Sequence, residues 1–215
     1  MSHRITKEAI DEAVHKVLSP QKPRNFLETI EMQISLKDID VLRDKRFNSS
    51  VRLKHVIKPS RKICVLGDDA LCEESARLGI ASMNRKEIES YNKDAKRVKK
   101  TAQKFNNFLA PASIITLIPR YFGPGLNRAG KFPTVIAPNE KLADKVEDLM
   151  CTAKFQLKKT LCLGVAIGNA KMTEEELKEN FLTSINFLAS ILKKNWNNIA
   201  GIVLKSTMGK PHRVL

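Results

Sequence analysis

Two spacings of hydrophobic residues follow one another in the N-terminal part of the chain. Apolar side chains recur at helical spacing over residues 5–18, which predicts an amphipathic helix that Pro20 and Pro23 would end. Apolar and polar residues then alternate along 25–36 and again along 51–57. Such alternation is typical of strands with one buried and one solvated face, so two strands of that kind are predicted.

The C-terminal part repeats this style. The stretches 155–168 and 199–206 are rich in apolar residues with polar ones between them, and each predicts a strand. Between the two strands, Thr173 and Glu176 have the spacing of a capping box. A long helix is therefore predicted to begin there, with apolar positions at helical spacing as far as Leu192.

The middle of the chain has a different pattern. Residues 62–67 and 113–118 are short and almost continuously apolar, as expected of strands that are buried on both faces. A lysine-rich stretch with a helical apolar stripe, 95–109, lies between them. Asn139 can cap a further helix over 142–150. Alternating strands and helices are typical of a small α/β domain.

We therefore expect an α/β (α+β) protein with two domains. The two ends, 1–62 and 154–215, are predicted to form one discontinuous domain, and 63–153 to form an inserted α/β domain. The net charge divides in the same way: 1–62 has 14 basic and 8 acidic residues (+6), 154–215 has 10 and 4 (+6), and 63–153 has 14 and 11 (+3). Periodicity alone leaves open whether the two ends pair.

The composition favours a phosphate-rich partner. The chain has a formal net charge of +15 and is 42% hydrophobic, which is enough for a core. Nucleic acid is the first expected partner and an anionic membrane surface the second. No apolar run approaches the length of a membrane span, and acidic residues near the N-terminus argue against a signal peptide. The four cysteines are scattered, so we expect reduced core residues of a cytosolic protein without a metal site.

One stretch resembles a nucleotide-binding loop. Residues 125–131 read G-x-x-x-x-G-K, but Phe132 replaces the Ser or Thr that would hold magnesium, and Pro133 follows where a helix should start. We therefore do not expect nucleotide hydrolysis. Two interpretations remain, a solvated connector or an anion-contacting loop that exposes Arg120, Arg128 and Lys131.

Catalytic apparatus is not visible in the sequence, whereas RNA-binding material is. The doublet Asp68-Asp69 follows a predicted strand, and we interpret it as the start of a helix. The basic residues of the lysine-rich stretch are interpreted as a solvated face that could also screen distant phosphates: Lys93, Lys96, Arg97, Lys99, Lys100 and Lys104. Small polar and basic groups suited to RNA occur on the predicted solvated sheet face and in the last turn: Thr29, Glu31, Arg52, Lys54, Ser206, Thr207, Met208, Gly209 and Lys210. For the last turn, the alternative is a plain strand end with glycine at a positive φ.

Several motifs in order resemble the ribosomal protein L-one family in its eukaryotic cytosolic form. The motifs are "ETIEMQISL", "PRYFGPGLNRAGKFPT", "AKMTEEEL", "FLASILKKNW" and "KSTMGKPHRV". The resemblance implies a split β-α-β domain from both termini and an inserted Rossmann-like three-layer domain. It also implies a non-enzymatic protein without cofactor. Such a protein binds large-subunit rRNA at the mobile stalk beside the exit site and assists release of deacylated tRNA.

The resemblance also implies particular RNA contacts. On this chain they are Phe26, Glu28, Thr29, Lys171, Thr207, Met208 and Gly209. Phe26 has two interpretations, because alternation places it on the buried face and the resemblance places it at the RNA. Arg120, Arg128 and Lys131 would be secondary contacts to RNA or between domains. We expect a monomer when free, located on cytoplasmic ribosomes. The alternatives are an RNA-binding regulator outside the ribosome and a nucleotide-dependent α/β enzyme.

Overall fold

A computed structural model describes residues 5–19, 24–40, 43–44, 46–138 and 140–215. These residues form two compact units. Unit 1 consists of the described residues up to Pro59 together with Met150–Leu215, and unit 2 is Ser60–Leu149. Pro20, Pro23 and Asn139, to which we assigned a helix end and a helix cap, lie outside the described residues.

The described chain contains helices and strands in alternation. The helices are α1 (Lys7–Leu18), α2 (Asp69–Arg77), α3 (Arg85–Glu89), α4 (Ala95–Lys104), α5 (Ala112–Ile115), α6 (Ile118–Phe122), α7 (Gly125–Arg128), α8 (Leu142–Cys151) and α9 (Glu174–Ile191). The strands are β1 (Thr29–Leu36), β2 (Asn48–Arg52), β3 (Ile63–Gly67), β4 (Ala81–Asn84), β5 (Asn107–Pro111), β6 (Thr134–Ile136), β7 (Thr152–Gln156), β8 (Cys162–Asn169), β9 (Ile199–Ser206) and β10 (His212–Arg213).

Unit 1 is built on an antiparallel four-stranded sheet in the order β10-β9-β1-β8, with a separate antiparallel pair, β2-β7. Helices α1 and α9 contact each other and the sheet. The predicted alternation of β1 is confirmed: Ile30, Met32 and Ile34 are fully buried under the helices, and Glu31 is exposed on the opposite face. Both termini of the chain therefore contribute to one core.

Helix α9 begins where the sequence predicts. The Thr173 hydroxyl accepts a hydrogen bond from the Glu176 N–H (3.3 Å), and the Glu176 carboxylate accepts one from the Thr173 N–H (3.0 Å). This reciprocal arrangement is a complete capping box, and it satisfies two N–H groups that the first helical turn leaves without partners. The predicted apolar positions Leu177, Phe181 and Ile185 are buried.

A fully buried asparagine connects α9 to two other segments. The Asn180 side chain accepts a hydrogen bond from the His55 N–H (3.2 Å) and donates to the His55 carbonyl (3.2 Å) and the Ile167 carbonyl (3.0 Å). It thus supplies the loop after β2 with the backbone partners that a neighbouring strand would otherwise provide.

That interaction explains why one predicted strand is wrong. We predicted a strand over 51–57, but β2 ends at Arg52 after pairing with β7. Beyond it the backbone at His55 bonds to a side chain instead of a strand, while Leu53 and Ile57 remain buried as loop residues. The alternation therefore marked burial and not pairing.

The predicted strand at 155–168 is also corrected, because it is two strands. β7 ends at Gln156 and pairs with β2, whereas β8 begins at Cys162 and pairs with β1. The two basic residues Lys158 and Lys159 lie in the exposed bend between the two strands. A continuous apolar face thus runs across two different sheets.

The ends of unit 1 that border unit 2 are held together. The Ile57 N–H donates to the Met150 carbonyl (3.3 Å), and the Leu53 N–H donates to the Cys151 carbonyl (3.0 Å). The chain therefore leaves unit 1 and returns to it at neighbouring points.

Unit 2 contains a parallel four-stranded sheet in the order β4-β3-β5-β6, with helices α2 to α7 and α8 as far as Leu149. β3 is buried along its whole length, as predicted for a strand covered on both faces. The Asp68-Asp69 doublet forms the start of α2, in agreement with our interpretation. With the antiparallel sheets of unit 1, this confirms the predicted mixed α/β class.

Two predictions in unit 2 are wrong. Residues 113–118 are not a strand but lie in the region of α5 and α6, and the strand is β5. A short apolar run does not distinguish a buried strand from a buried helical turn, and Pro119 suits the first turn of α6. The predicted helix over 95–109 ends at Lys104, so Leu109 belongs to β5.

The cysteines are less uniformly buried than predicted. Cys64 in β3 is fully buried, and this burial raises the pKa of its thiol to about 12. Cys72 is half-buried, and burial also raises its pKa. Cys162, however, is exposed at the start of the edge strand β8, so its assignment to the core is wrong.

Candidate RNA-binding surface

Three loops of unit 1 meet at one end of the strands of its antiparallel sheet. Thr29, the first residue of β1, pairs with Asn169 at the end of β8, and Ile30 pairs with Ser206 at the end of β9. The chain therefore enters β1 beside the points where it leaves β8 and β9. We call these segments the loop cluster: Arg24–Thr29, Asn169–Lys171 and Ser206–Lys210.

Glu28 holds the three segments of the loop cluster together. Its side chain is buried, with 7% of the residue exposed. One carboxylate oxygen accepts a hydrogen bond from the Met208 N–H (3.4 Å), and the other lies 3.5 Å from Nε of Arg24. The Glu28 carbonyl accepts a hydrogen bond from the Ala170 N–H (2.9 Å). A single residue thus contacts all parts of the cluster.

The last turn is bound to the start of β1 by a second contact. The Thr207 hydroxyl accepts from the Thr29 N–H and donates to the Thr29 carbonyl, both at 3.1 Å. The Thr207 hydroxyl therefore satisfies both backbone groups of Thr29 and fixes the last turn against the start of β1.

Gly209 is required by space in this turn. Its N–H donates to the Ser206 carbonyl (3.2 Å), and a Cβ at this position would lie 2.3 Å from the Ser206 hydroxyl oxygen. Its φ is not positive, so the alternative of a strand end with a left-handed glycine is wrong. Ser206 itself is buried. The close approach of the Ser206 side chain explains this glycine.

Four members of the loop cluster expose their side chains to solvent. Phe26 is 52% exposed and Met208 is 59% exposed, although both are large and apolar. Lys171 and Lys210 are exposed beside them. The prediction that Phe26 belongs to the buried face is wrong, because β1 begins only at Thr29.

Asn169 and Arg24 are members of the cluster that the sequence did not single out as contacts. The buried Asn169 side chain donates to the Ile57 carbonyl (3.2 Å) and accepts from the Lys171 N–H (3.0 Å), which positions Lys171. Arg24 lies four residues before Glu28, and that opposite-charge spacing was a usable signal. The Asn169 contacts depend on a loop distant in sequence and gave no signal.

Arg52 and Lys54 do not share a sheet with Thr29 and Glu31, so the predicted single solvated sheet is wrong. Arg52 ends β2 in the two-stranded sheet. Nζ of Lys54 lies 3.2 Å from a carboxylate oxygen of Glu179. Hydrogen bonds from His55 and Lys54 lower the pKa of that carboxyl group, so Lys54 already has an anionic partner.

The G-x-x-x-x-G-K stretch of unit 2 has a structural explanation at each of its fixed positions. A Cβ on Gly125 would lie 2.7 Å from a methyl carbon of Val98, so this glycine lets α7 pack closely on α4. Gly130 has φ +71°, the left-handed conformation that ends the turn after α7. The Lys131 ammonium donates to the carbonyls of Ala102 (2.6 Å) and Phe105 (2.9 Å) at the end of α4.

Lys131 is therefore half-buried and not exposed as predicted, whereas Arg120 and Arg128 are exposed. The chain continues from Lys131 into β6, so no helix follows to receive a phosphate.

Replacing Lys131 with alanine should lower the free energy of unfolding by about 1–3 kcal/mol, because two partly buried carbonyls lose a charged donor. Thermal or urea unfolding followed by circular dichroism measures this. Lys141→Ala is the matched control, since Lys141 is exposed in the same unit, and it should change stability by less than about 0.5 kcal/mol. Equal effects of the two substitutions would contradict the assigned role of Lys131.

Neither a metal site nor a membrane-spanning helix is seen in the part of the chain that the structure describes. There, no three His, Cys, Asp or Glu side chains are grouped so that they could hold a metal ion. None of the helices in those same ranges has the length and apolarity needed to cross a membrane.

Most of the chain is similar to one family of ribosomal proteins. Residues 17–210 match the ribosomal protein L1p/L10e family. The large ribosomal subunit protein uL1 of Caenorhabditis elegans and uL1z of Arabidopsis thaliana are each 49% identical over 213 residues, which is 98% of this chain and 99% of theirs. The uL1 of Oryza sativa subsp. japonica is 48% identical over 214 residues, 100% of this chain and 98% of its own.

The fold and these matches define a ribosomal protein, a structural protein and not an enzyme. The chain belongs to the ribosomal protein L1p/L10e family.

Proposed function

We propose that this protein is a structural constituent of the large ribosomal subunit of cytoplasmic ribosomes and that the loop cluster of unit 1 binds rRNA. The expected rRNA is that of the mobile stalk beside the exit site, where the protein would assist release of deacylated tRNA. Free protein is expected to be a monomer. Family membership and the names of the relatives support the ribosomal assignment, and the family resemblance supports the stalk.

The observation that carries the RNA proposal is that some residues of the loop cluster fix its geometry while others are left exposed. Glu28, Thr207 and Gly209 are used internally, where they fix the geometry of the three loops. Phe26 and Met208 are left exposed on this fixed base. Exposed apolar side chains on an ordered support are typical of a surface that a partner covers.

RNA suits this surface chemically. An aromatic ring such as that of Phe26 can stack on an unpaired base, and the flexible thioether of Met208 can pack against a sugar or base face. Lys171 and Lys210 are exposed in the same loop cluster and can contact phosphates. The surface therefore combines shape-dependent contacts with charge, as specific RNA recognition requires.

Binding of purified protein to a large-subunit stalk rRNA fragment, against a scrambled RNA of equal length across a salt series, tests the proposal. We expect a preference for the stalk fragment that persists at physiological salt. Met208→Ala should weaken stalk binding by about 1–3 kcal/mol, because contacts within a close-packed interface are lost.

Leu182→Ala is the matched control, since Leu182 is an exposed apolar residue of α9 outside the loop cluster, and it should leave the affinity unchanged. Equal affinity for both RNAs, falling together as salt rises, would refute specific recognition. Co-sedimentation with large subunits tests the ribosomal part, because a regulator outside the ribosome would stay in the supernatant.

A further inference from the structure

Charge is strongly segregated within unit 2. The segment from Lys93 to Lys131 contains nine basic residues and one acidic residue, Asp94. The rest of unit 2, residues 60–92 and 132–149, contains seven basic and ten acidic residues. The positive charge of this unit is thus concentrated in α4 and the segments that follow it.

Helix α4 carries this charge without internal neutralisation. Lys96, Lys99, Lys100 and Lys104 are exposed. Lys96 lies three residues before Lys99 and four before Lys100, and Lys100 lies four before Lys104. Within the described ranges, Lys96, Lys99 and Lys100 form no ion pair. Like charges at this spacing destabilise a helix. By contrast, three other helices place an acid four residues from a base, in the pairs Glu12–Lys16, Arg85–Glu89 and Glu174–Lys178.

The helix is nevertheless held rigidly at both ends. The Asp94 carboxylate accepts from the N–H groups of Lys96 (2.9 Å) and Arg97 (3.4 Å), so the one acid of the segment is a helix cap. Lys131 binds the last carbonyls, as described above. The Arg97 guanidinium lies 4.8 Å from the ring centre of Tyr91 and donates to the Ser90 carbonyl (3.1 Å).

Three lysines therefore remain available on a rigid support. We propose that Lys96, Lys99 and Lys100, which we call the α4 face, form a second RNA-binding surface that contacts phosphates without reading bases. It does not depend on the loop cluster of unit 1. These three lysines lie within about 6 Å along the helix axis, comparable to about two successive phosphates along one strand of a duplex. Arg128 of α7 adds a further exposed charge beside α4, because Gly125 brings α7 against Val98.

The apolar side of α4 favours RNA over a lipid surface. A helix that lies on a membrane inserts its apolar side among the lipids. In α4 that side, with Val98 and Ala102, is already buried in the core of unit 2. Apart from Ala95, only charged and polar groups of α4 remain outside, which suits a hydrated phosphate backbone.

A triple variant with a charge-matched control tests the proposal. Lys96→Gln, Lys99→Gln and Lys100→Gln together remove the α4 face. The control replaces the exposed Lys62, Lys86 and Lys141 of the same unit with Gln and removes the same charge. Affinity for a duplex RNA of unrelated sequence is measured from about 50 to 200 mM salt. The α4 variant should bind on the order of tenfold more weakly and show a shallower salt dependence, by about two in log–log slope.

Equal losses in both variants would mean that net charge alone acts, and no loss in the α4 variant would mean that the face makes no contact. Loss of binding to phosphatidylserine vesicles with RNA binding unchanged would assign the face to a membrane. Each of these outcomes overturns the proposal. The preference for stalk over scrambled RNA should persist in the α4 variant; its absence in the wild type would refute the proposed function and leave this inference standing.

A single substitution separates binding from folding. Lys100→Glu creates opposite-charge pairs with Lys96 and Lys104, so the melting temperature should rise, on the order of 1 °C, while affinity for the duplex RNA falls. A folding defect would lower both the melting temperature and the affinity for the duplex RNA. An unchanged affinity in this variant would count against the proposal as well.

Discussion

Replacing Asn180 with leucine is expected to lower the free energy of unfolding by about 3 kcal/mol. Leucine keeps the branched shape of the asparagine side chain but has no polar atoms, so the main change is chemical. The buried carbonyl of Ile167 and the partly buried N–H and carbonyl of His55 lose their partner. Each orphaned buried group costs about 1–3 kcal/mol, and local relaxation recovers part of the total. Urea denaturation followed by far-ultraviolet circular dichroism measures the change.

Asn186→Leu on the same helix is the control for this substitution. Asn186 is exposed, and no hydrogen bond of its side chain is seen among the described residues. Its replacement should shift stability by no more than about 0.5 kcal/mol. If both variants lost similar stability, the buried hydrogen bonds of Asn180 would not be what holds the loop after β2.

Replacing Glu28 with alanine should weaken binding to the stalk rRNA fragment by about 1–3 kcal/mol, although the substitution removes a negative charge. The carboxylate joins the Met208 N–H to Arg24, and without it the turn that presents Met208 loses its anchor. The direction is informative, because removing an acid from an RNA-binding protein should strengthen binding if charge alone mattered. Fluorescence anisotropy with the labelled fragment provides the measurement.

Glu31→Ala supplies the comparison that isolates this effect. Glu31 lies three residues after Glu28, within β1, is exposed, and undergoes the same change in charge. It should leave binding unchanged or make it slightly tighter. Tighter binding in both variants would show that Glu28 acts only through its charge and that the order of the loop cluster is unimportant for recognition.

The parts of the fold that were predictable are those with local causes. The capping box at Thr173 and Glu176 acts within one turn of helix, and the alternation of Ile30, Met32 and Ile34 follows from the two-residue period of a strand. Residues 113–118 were misassigned because an apolar run reports burial and not backbone conformation. The end of α4 was missed because its last carbonyls are satisfied by Lys131, which is distant in sequence.

The candidate site was predictable in its members but not in their roles. The family resemblance supplied Glu28, Thr207 and Met208 as a group of contacts. Their division into buried organisers and exposed contacts depends on strand register, which brings Thr29 beside Asn169 and Ile30 beside Ser206. Register is a property of pairing between segments far apart in sequence. Hydrophobic periodicity fixes which face of each strand is buried, but it does not say which residues of two strands lie opposite each other.

The hydrogen bond between Ile57 and Met150 has a consequence for the order of folding. Closing a disordered loop as long as unit 2 costs about 4 kcal/mol in chain entropy. If unit 2 folds first, the Arg61 guanidinium on the Leu149 carbonyl draws together the two ends that border unit 1. The folded unit 2 then holds the two halves of unit 1 close together. The pairing of β1 with β8 and β9 therefore no longer requires closure of a long disordered loop.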